Sequence, residues 1–502
     1  MKLHIKEIAV AELLAEAKAY SADGSHPLTA MFGRDERENG GGFAVYVVFE
    51  FLAEHELRAL KVALKPEEEL SYPSLTHLIP AAAWFEREIQ DMFGLVPQGH
   101  PDPRRLVLHE NFPEGIHPLR KDAPKEIPFI EGKHCHMHTV SGEGTFQVPV
   151  GPIHAGIIEP GHFRFSQAGE SMLQLDAKLF YTHRGLEKTM EGKTAMEALF
   201  IAERICGACT VANTWSYCQA VEAAAGTSVP RRAELLRTLL LEIERITNHV
   251  GDLGNIPAGV GFSFAVSIGT RGKEMMMRLQ GRLTGNRFMR GFIQPGGTAR
   301  DLSAEDLSAV AETMAEVRKN TEDLERIFAE QDSFQDRVRT TGIVRSKTAK
   351  DLAMVGVGAR ASGYLHDSRV DFAYGAYPEL AVQPVTETSG DVAARILVRI
   401  GELKESFRLV ERLLVLLAEE KGEVKAELGT PQGEGAGISE SARGSSFCYV
   451  AFDEEGRLDR IFVRSASYAN WPALPIAVQG DIIPDFPLIN KSFELCYACL
   501  DR

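Results

Sequence analysis

Four of the seven cysteines in this 502-residue chain form two Cys-x-x-Cys pairs, Cys206-Gly207-Ala208-Cys209 and Cys496-Tyr497-Ala498-Cys499. Thiols three apart can clamp one metal ion, and two such pairs supply four thiolates. A single pair reads equally well as a redox couple or as two unrelated core thiols. A second pair, and the Arg204-Ile205 that leads into the first, favour a shared metal. Zinc ribbons keep their pairs close in sequence, whereas these stand at opposite ends of the larger part of the chain. The site must therefore be assembled by the fold, with metal binding and folding coupled. Cys135, Cys218 and Cys448 lack paired spacing and read as core thiols. His134, His136 and His138 alternate like ligands on a strand, but a solvated linker or a contact with another subunit is the better reading.

The elements that must hold these thiols are mixed. A helical stretch Thr194–Arg204 leads into Cys206, and Gly207 allows a tight approach of the backbone. Residues 231–250 place Leu235, Leu239, Ile243, Ile246 and Val250 on one helical face before a break at Asn255-Ile256-Pro257. Residues 303–330 and 391–420 repeat that pattern, Phe447–Phe452 and Leu458–Val463 read as β pieces, and Gly429–Gly444 reads as a Gly- and Ser-rich loop. Near the N-terminus a helical Val10–Tyr20, a strand Phe43–Phe49 and a helical pattern over 76–93 precede a Pro-, His- and Arg-rich stretch too punctuated for regular structure. The expected class is α+β. A small N-terminal α+β domain (1–125) and a linker (126–145) precede a large, mainly α-helical bundle domain with minor β pieces (146–502).

Composition narrows the function. A net charge of −15 leaves no surplus to neutralise phosphates, which excludes nucleic acid as the main partner, and gives no reason for adhesion to anionic lipid. No stretch approaches the roughly 20 apolar residues that span a bilayer, and the N-terminus lacks the apolar run of a signal peptide. Cysteines in such a chain read as reduced thiols or metal ligands, so the expected compartment is the cytoplasm.

The segment Arg204–Cys209 resembles the first metal motif of [NiFe] hydrogenase large subunits, and Cys496–Cys499 resembles the second. Gly151-Pro152-Ile153-His154, Glu159-Pro160-Gly161-His162-Phe163, His183-Arg184-Gly185-Leu186-Glu187-Lys188 and Tyr468-Ala469-Asn470-Trp471-Pro472 resemble the complex I-related, membrane-associated branch of that family. Residues Glu86–Glu88, Asp91–Gly94, Gly99–Asp102 and His117–Asp122 resemble the 30 kDa-type subunit of complex I. A fusion of these parts is typical of formate hydrogenlyase and hydrogenase-4 large subunits.

That resemblance implies a NiFe(CO)(CN)2 centre. Cys206 and Cys496 would be terminal nickel ligands, and Cys209 and Cys499 would bridge nickel and iron. Cys496 would serve as the base in H2 cleavage. Arg443 matches an arginine over the open position, and its competing reading is an ordinary loop arginine. Ser467 matches a donor to an iron-bound cyanide, against a buried structural serine. Glu159 and His162 would begin a proton path, against a capping or salt-bridged pair. Glu187 matches a carboxylate that holds a second, magnesium-like ion, and Asp367 and Asp371 could line the cavity. The Asp91–Lys121 block reads as a docking surface.

Two departures stand out. Glu494-Leu495 replaces the Asp-Pro that many relatives carry before the second pair, which removes a rigid turn but no ligand. The sequence ends three residues after Cys499, near where precursors of this family are cut; a processed form and a gene-encoded end are both consistent with that. The chain lacks further cysteine clusters. Electrons would therefore leave through an iron–sulfur small subunit resembling the cluster-bearing subunit of complex I, with further iron–sulfur and hydrophobic membrane subunits. Formate dehydrogenase or ferredoxin could be the electron partner, and maturation proteins would install the metals. The protein would sit peripherally on the inner face of the cytoplasmic membrane. Two alternatives stay open: a complex I-type quinone or ferredoxin oxidoreductase subunit without nickel, a relative that lacks the four cysteines, and a scaffold whose thiolates hold structural zinc.

Overall fold

The computed structural model describes every residue except 1–2, 23, 66–68, 129, 133–135 and 155–157. Near the N-terminus, β1 (Leu3–Ile8), α1 (Leu13–Ser21), β2 (Leu28–Asp35), β3 (Phe43–Phe51) and β4 (Glu56–Leu64) build a sheet of order β1-β4-β3-β2. β1 runs parallel to β4 and the other pairs are antiparallel. Every residue of β2 and β3 is buried, so neither face of these strands is left to water. Along β2 packs α2 (Ala83–Phe93), with Phe93 filling the space that a side chain at Gly33 would occupy. This helix starts later than the periodicity over 76–93 suggests. Ile79, before Pro80, is extended, as a residue preceding proline must be.

Beyond residue 145 the expectation of helices fails at first. β5 (Thr145–Val150), β6 (His162–Ala168) and β7 (Ser171–Lys178) form an antiparallel meander. In β6, Phe163 and Phe165 alternate into the core against Phe486, a period of two that marks a strand. Helices then follow: α3 (Leu186–Met190), α4 (Ala195–Ala202), α5 (Thr210–Ala225), α6 (Arg231–Asn255), α7 (Ser263–Thr284), α8 (Ala304–Glu330) and α9 (Val392–Glu419). Buried along almost its whole length, α6 packs against α7 and α9. A Cβ at Gly269 of α7 would fall 2.3 Å from the Gly254 Cα of α6, so only glycine permits this crossing.

The expected loop Gly429–Gly444 is largely a strand. β8 (Gly433–Ser441), β9 (Gly444–Phe452) and β10 (Leu458–Arg464) form a second antiparallel sheet. The glycines mislead because they serve packing: a Cβ at Gly435 or Gly437 would lie 2.1 Å from the Ala220 or Ser216 carbonyl oxygen of α5. Glycine lets β8 lie flat on that helix. The rings of Phe32 and Tyr46 meet Tyr449 and Phe462, and Arg34 reaches Asp459 and Glu434, so the two sheets interlock. Finally α10 (Ala466–Asn470) and α11 (Phe486–Phe493) bring the C-terminal segment back to the core. The molecule is α+β, a sheet-bearing N-terminal part on a mainly helical remainder.

Candidate metal centre

Thr194 and Glu197 close a capping box at the start of α4, which fixes the entry to the first cysteine turn. The turn after α4 carries Cys206, and Cys209 is the N-cap of α5. The amide of Ala208 donates to Cys206 Sγ at 3.2 Å, folding the loop around that sulfur. From the far end of the chain, Cys496 Sγ comes to 3.2 Å from Cys206 Sγ. The sulfurs of Cys206, Cys496 and Cys499 lie within 4.8 Å of one another, and Cys209 adjoins Cys206 and Cys499. All four are free thiols in one cluster, with Cys496 the least buried.

Several contacts hold the second pair against the first. Glu494 ends α11 in the left-handed region (φ 52°), where the Asn255 amide donates to its carboxylate at 2.6 Å. Cys496 N–H donates to Ser467 Oγ at 2.9 Å, so this hydroxyl anchors the ligand's backbone and keeps its own proton to donate. Tyr497 packs on Trp471 with ring centroids 5.0 Å apart. Arg184 is the clamp. It donates to the carbonyls of Arg204 and Ile205 beside the first pair, at 2.8 and 2.7 Å, and to those of Ala498 and Asp501 beside the second, at 2.6 and 2.8 Å. A guanidinium has five N–H donors in a fixed plane and can reach all four carbonyls, one more than the three donors of an ammonium could serve singly. The sequence shows Arg184 within a motif but carries no signal for this role.

A stripe on α6 lines the other side of the cluster. Asn248 donates to the Ala208 carbonyl at 2.7 Å and accepts from Arg443 at 2.8 Å. Arg443 also reaches Asp252 at 3.0 Å and the Glu494 carbonyl at 2.8 Å, and is thereby fixed beside the thiols. Burial would raise Asp252, but Arg443 and Arg399 hold its carboxyl well below the usual range. Glu244 accepts from Val211 and Ala212 N–H, at 2.6 and 3.1 Å, capping α5 just after Cys209. Burial pushes Glu244 up to about 8. These residues stand at i, i+4, i+8, a spacing visible in the sequence but masked by the leucine-rich face opposite. The thiols divide their protons unevenly. Hydrogen bonds from its three neighbours drop Cys206 well below the ordinary thiol value, and the same contacts push the other three up. Soft sulfur donors converging in a buried site fit a soft metal and not a hard one.

The remaining candidates lie as follows. Glu159 is half-buried within electrostatic reach of Tyr497 and Asp501, on the side of the second pair. His162 opens β6 and its Nδ1 lies 3.3 Å from the Gly151 carbonyl, so it is engaged with its own hairpin. Glu187 does not present free oxygens. It accepts from Arg460 at 2.6 Å, from Arg502 at 2.9 Å and from Val463 N–H at 3.3 Å. Asp367 pairs with Arg369 and Arg360, which in turn reach Glu242 of α6 and Glu402 of α9, and Asp371 neighbours His366, which meets Glu50 of β3. Cys218 and Cys448 are fully buried core thiols. His134 and Cys135 lie outside the described residues; His136 and His138 have ring centroids 6.2 Å apart. The Asp91–Lys121 block docks within the molecule. Asp91 accepts from Leu106, Val107 and Leu108 N–H, and Lys121 donates to the Asp459 carbonyl at 2.6 Å.

Known proteins resemble the chain along nearly its whole length. The family model described as respiratory-chain NADH dehydrogenase, 30 Kd subunit, matches residues 3–128, and that of the 49 Kd subunit matches 259–429 and 417–502. Nickel-dependent hydrogenase matches residues 184–252, the stretch that holds the first cysteine pair and α6. Formate hydrogenlyase subunit 5 of Escherichia coli is 34% identical over 95% of this chain and 84% of its own length. Hydrogenase-4 component G of the same organism is 33% identical over 96% and 85%. The NADH-quinone oxidoreductase C/D subunit of Bacteroides thetaiotaomicron is 27% identical over 93% and 92%. Among solved structures, a chain of the archaeal membrane-bound sulfane sulfur reductase superposes with a TM-score of 0.68 at 27% identity, covering 72% of this chain and 99% of that one.

Proposed function

The chain belongs to the family of formate hydrogenlyase and hydrogenase-4 large subunits, with a complex I 30 kDa-type part fused ahead of a 49 kDa-type part, and on that premise we propose that it is the catalytic subunit of a [NiFe] hydrogenase. The observation that carries the reading is the convergence of Cys206, Cys496 and Cys499 within 4.8 Å of one another, with Cys209 adjoining, from distant parts of the chain. A NiFe(CO)(CN)2 centre held there would interconvert H2 with protons and electrons. Cys206 and Cys496, with Cys209 and Cys499, would hold that centre through their four thiolates. Cys496, least buried of the four, holds a proton at Sγ, and Glu159 passes it outward. Arg443, pinned by Asn248 and Asp252, presents a fixed positive charge where negative charge develops. Ser467 holds the Cys496 backbone, and its hydroxyl proton would be available to a cyanide of that centre.

Electrons leave through a cluster-bearing partner. Exposed Phe200 and Phe288, the latter against Gly207 of the first pair, give that partner an apolar footing close to the thiols. Among the described residues no helix is long and apolar enough to cross a membrane, so attachment to the inner face of the cytoplasmic membrane runs through hydrophobic partner subunits. Formate dehydrogenase or ferredoxin fits as electron donor, with H2 evolution as the working direction.

The test is the infrared spectrum of protein expressed with its maturation system, in the region of metal-bound CO and cyanide. Bands that disappear in Cys496→Ala and Cys499→Ala are the expected result. Zinc at one per chain with no such bands would replace this reading with a structural thiolate site. Likeness to the NADH-quinone oxidoreductases supports a second reading, a nickel-free electron-transfer protein. Native complex with neither bands nor metal would favour it.

A further inference from the structure

Behind the second cysteine pair lie four buried charged side chains, Glu88, Glu187, Arg460 and Arg502, with His183 lining the cavity beside them. Arg502 donates to Glu187 at 2.9 Å and to Glu88 of α2 at 2.6 Å, while Arg460 donates to the other Glu187 oxygen at 2.6 Å. The Arg502 guanidinium lies over the rings of Phe462 and Tyr468, 5.1 and 5.0 Å from their centroids. Burial alone would push Glu187 up, yet the two arginines hold it below the ordinary carboxylate value. Burial and the neighbouring Glu187 push Glu88 up, so the two carboxylates and two guanidiniums sum to zero or to a net positive charge. A divalent ion added here would bring two uncompensated positive charges into a site that water cannot screen. The adjoining cavity, lined by Glu88, Glu187 and Arg502, is about 20 Å³, room for one water and not for a hydrated cation. The residues present do not fit the magnesium-like ion expected at Glu187.

We propose that the Arg502 side chain is the resident cation of the Glu88–Glu187 site and that it latches the segment bearing Cys496 and Cys499 to the N-terminal part of the molecule. Arg502 follows Cys499 by three positions, and Asp501 between them is held by Arg184 and Thr182. Glu88 sits on α2, so one guanidinium ties that helix to the second pair. Arg502 is a positioning residue and touches no reacting atom. The latch holds whether or not the thiols carry nickel.

Mn2+ is the probe, added to the purified full-length protein and read by electron paramagnetic resonance and by the melting midpoint. Wild type is expected to bind no Mn2+ tightly and to melt at the same temperature with Mn2+ or with a chelator. Arg502→Met exposes two acids to each other. Its midpoint is expected to fall by several degrees, to recover in millimolar Mn2+, and to do so with one bound ion per chain. Adding Glu88→Gln to that variant is expected to abolish both binding and recovery. If Arg502→Met does not accumulate, Arg502→Lys and Glu88→Gln alone are expected to lower the midpoint. Stoichiometric Mn2+ in wild type, or a destabilised Arg502→Met that Mn2+ does not rescue, would overturn the cation assignment. An unchanged midpoint in Glu88→Gln would overturn the latch. Infrared spectra of the same wild-type samples report separately on the hydrogenase reading.

Discussion

Each residue around the thiols is set by two or three short contacts, and those contacts separate charge from shape. Arg443 uses three of its donors on Asn248, Asp252 and the Glu494 carbonyl. Arg443→Lys keeps the charge and loses the fork. For the proposed hydrogenase, turnover of H2 is expected to fall roughly a hundredfold, a size typical of losing one fixed donor, with bound metal unchanged. Ser467→Ala removes the acceptor for Cys496 N–H. It is expected to cost about 1 kcal/mol of stability and, with the proposed centre in place, to speed metal loss to a chelator, since an unpaired buried amide beside Cys496 loosens that thiol.

Elements are placed by close backbone approach as much as by apolar stripes. β8 lies on α5 only because residues 435 and 437 lack side chains, and α5 begins at Cys209. Gly437→Ala would put a methyl 2.1 Å from the Ser216 carbonyl, so the strand must lift from the helix. The expected penalty is about 1–3 kcal/mol, read as a lower melting midpoint. Periodicity located α6, α8 and α9 to within a few residues because each buries a long regular face. It missed the strands between 145 and 178 and also β8. There short segments are buried by neighbours distant in sequence, and glycine signals packing instead of a turn.

Across the whole molecule, the N-terminal sheet and the helical part share buried charge. His366 meets Glu50 of β3 at 2.5 Å with both side chains out of solvent. Burial would lower the imidazole, but Glu50 raises it from the ordinary 6.5 to about 9. A raised pKa means that the folded state binds the proton more tightly than the unfolded chain. The resulting stabilisation is complete below pH 6.5 and is lost as pH rises through 9. Asp371, near His366, is itself raised to about 6 and so titrates below that window. Denaturant unfolding between pH 6.5 and 9.5 is therefore expected to show a loss on the order of 3 kcal/mol that His366→Gln largely removes.

The sequence by itself determined what can be written in local spacing. It carries the two cysteine pairs, the regular apolar faces of the long helices, the apolar run of β3 and the α+β class, since each depends on residues a few positions apart. Family resemblance extended that to the expected ligands because motifs are local as well. Only the tertiary structure decided which distant groups meet. It brings Cys206 to Cys496, wraps Arg184 over both turns and sets the α6 stripe against Arg443. It also gives Glu187 to two arginines and Asp367 to two others. A buried carboxylate takes whichever cation the fold delivers, and no spacing along the chain records which one arrives.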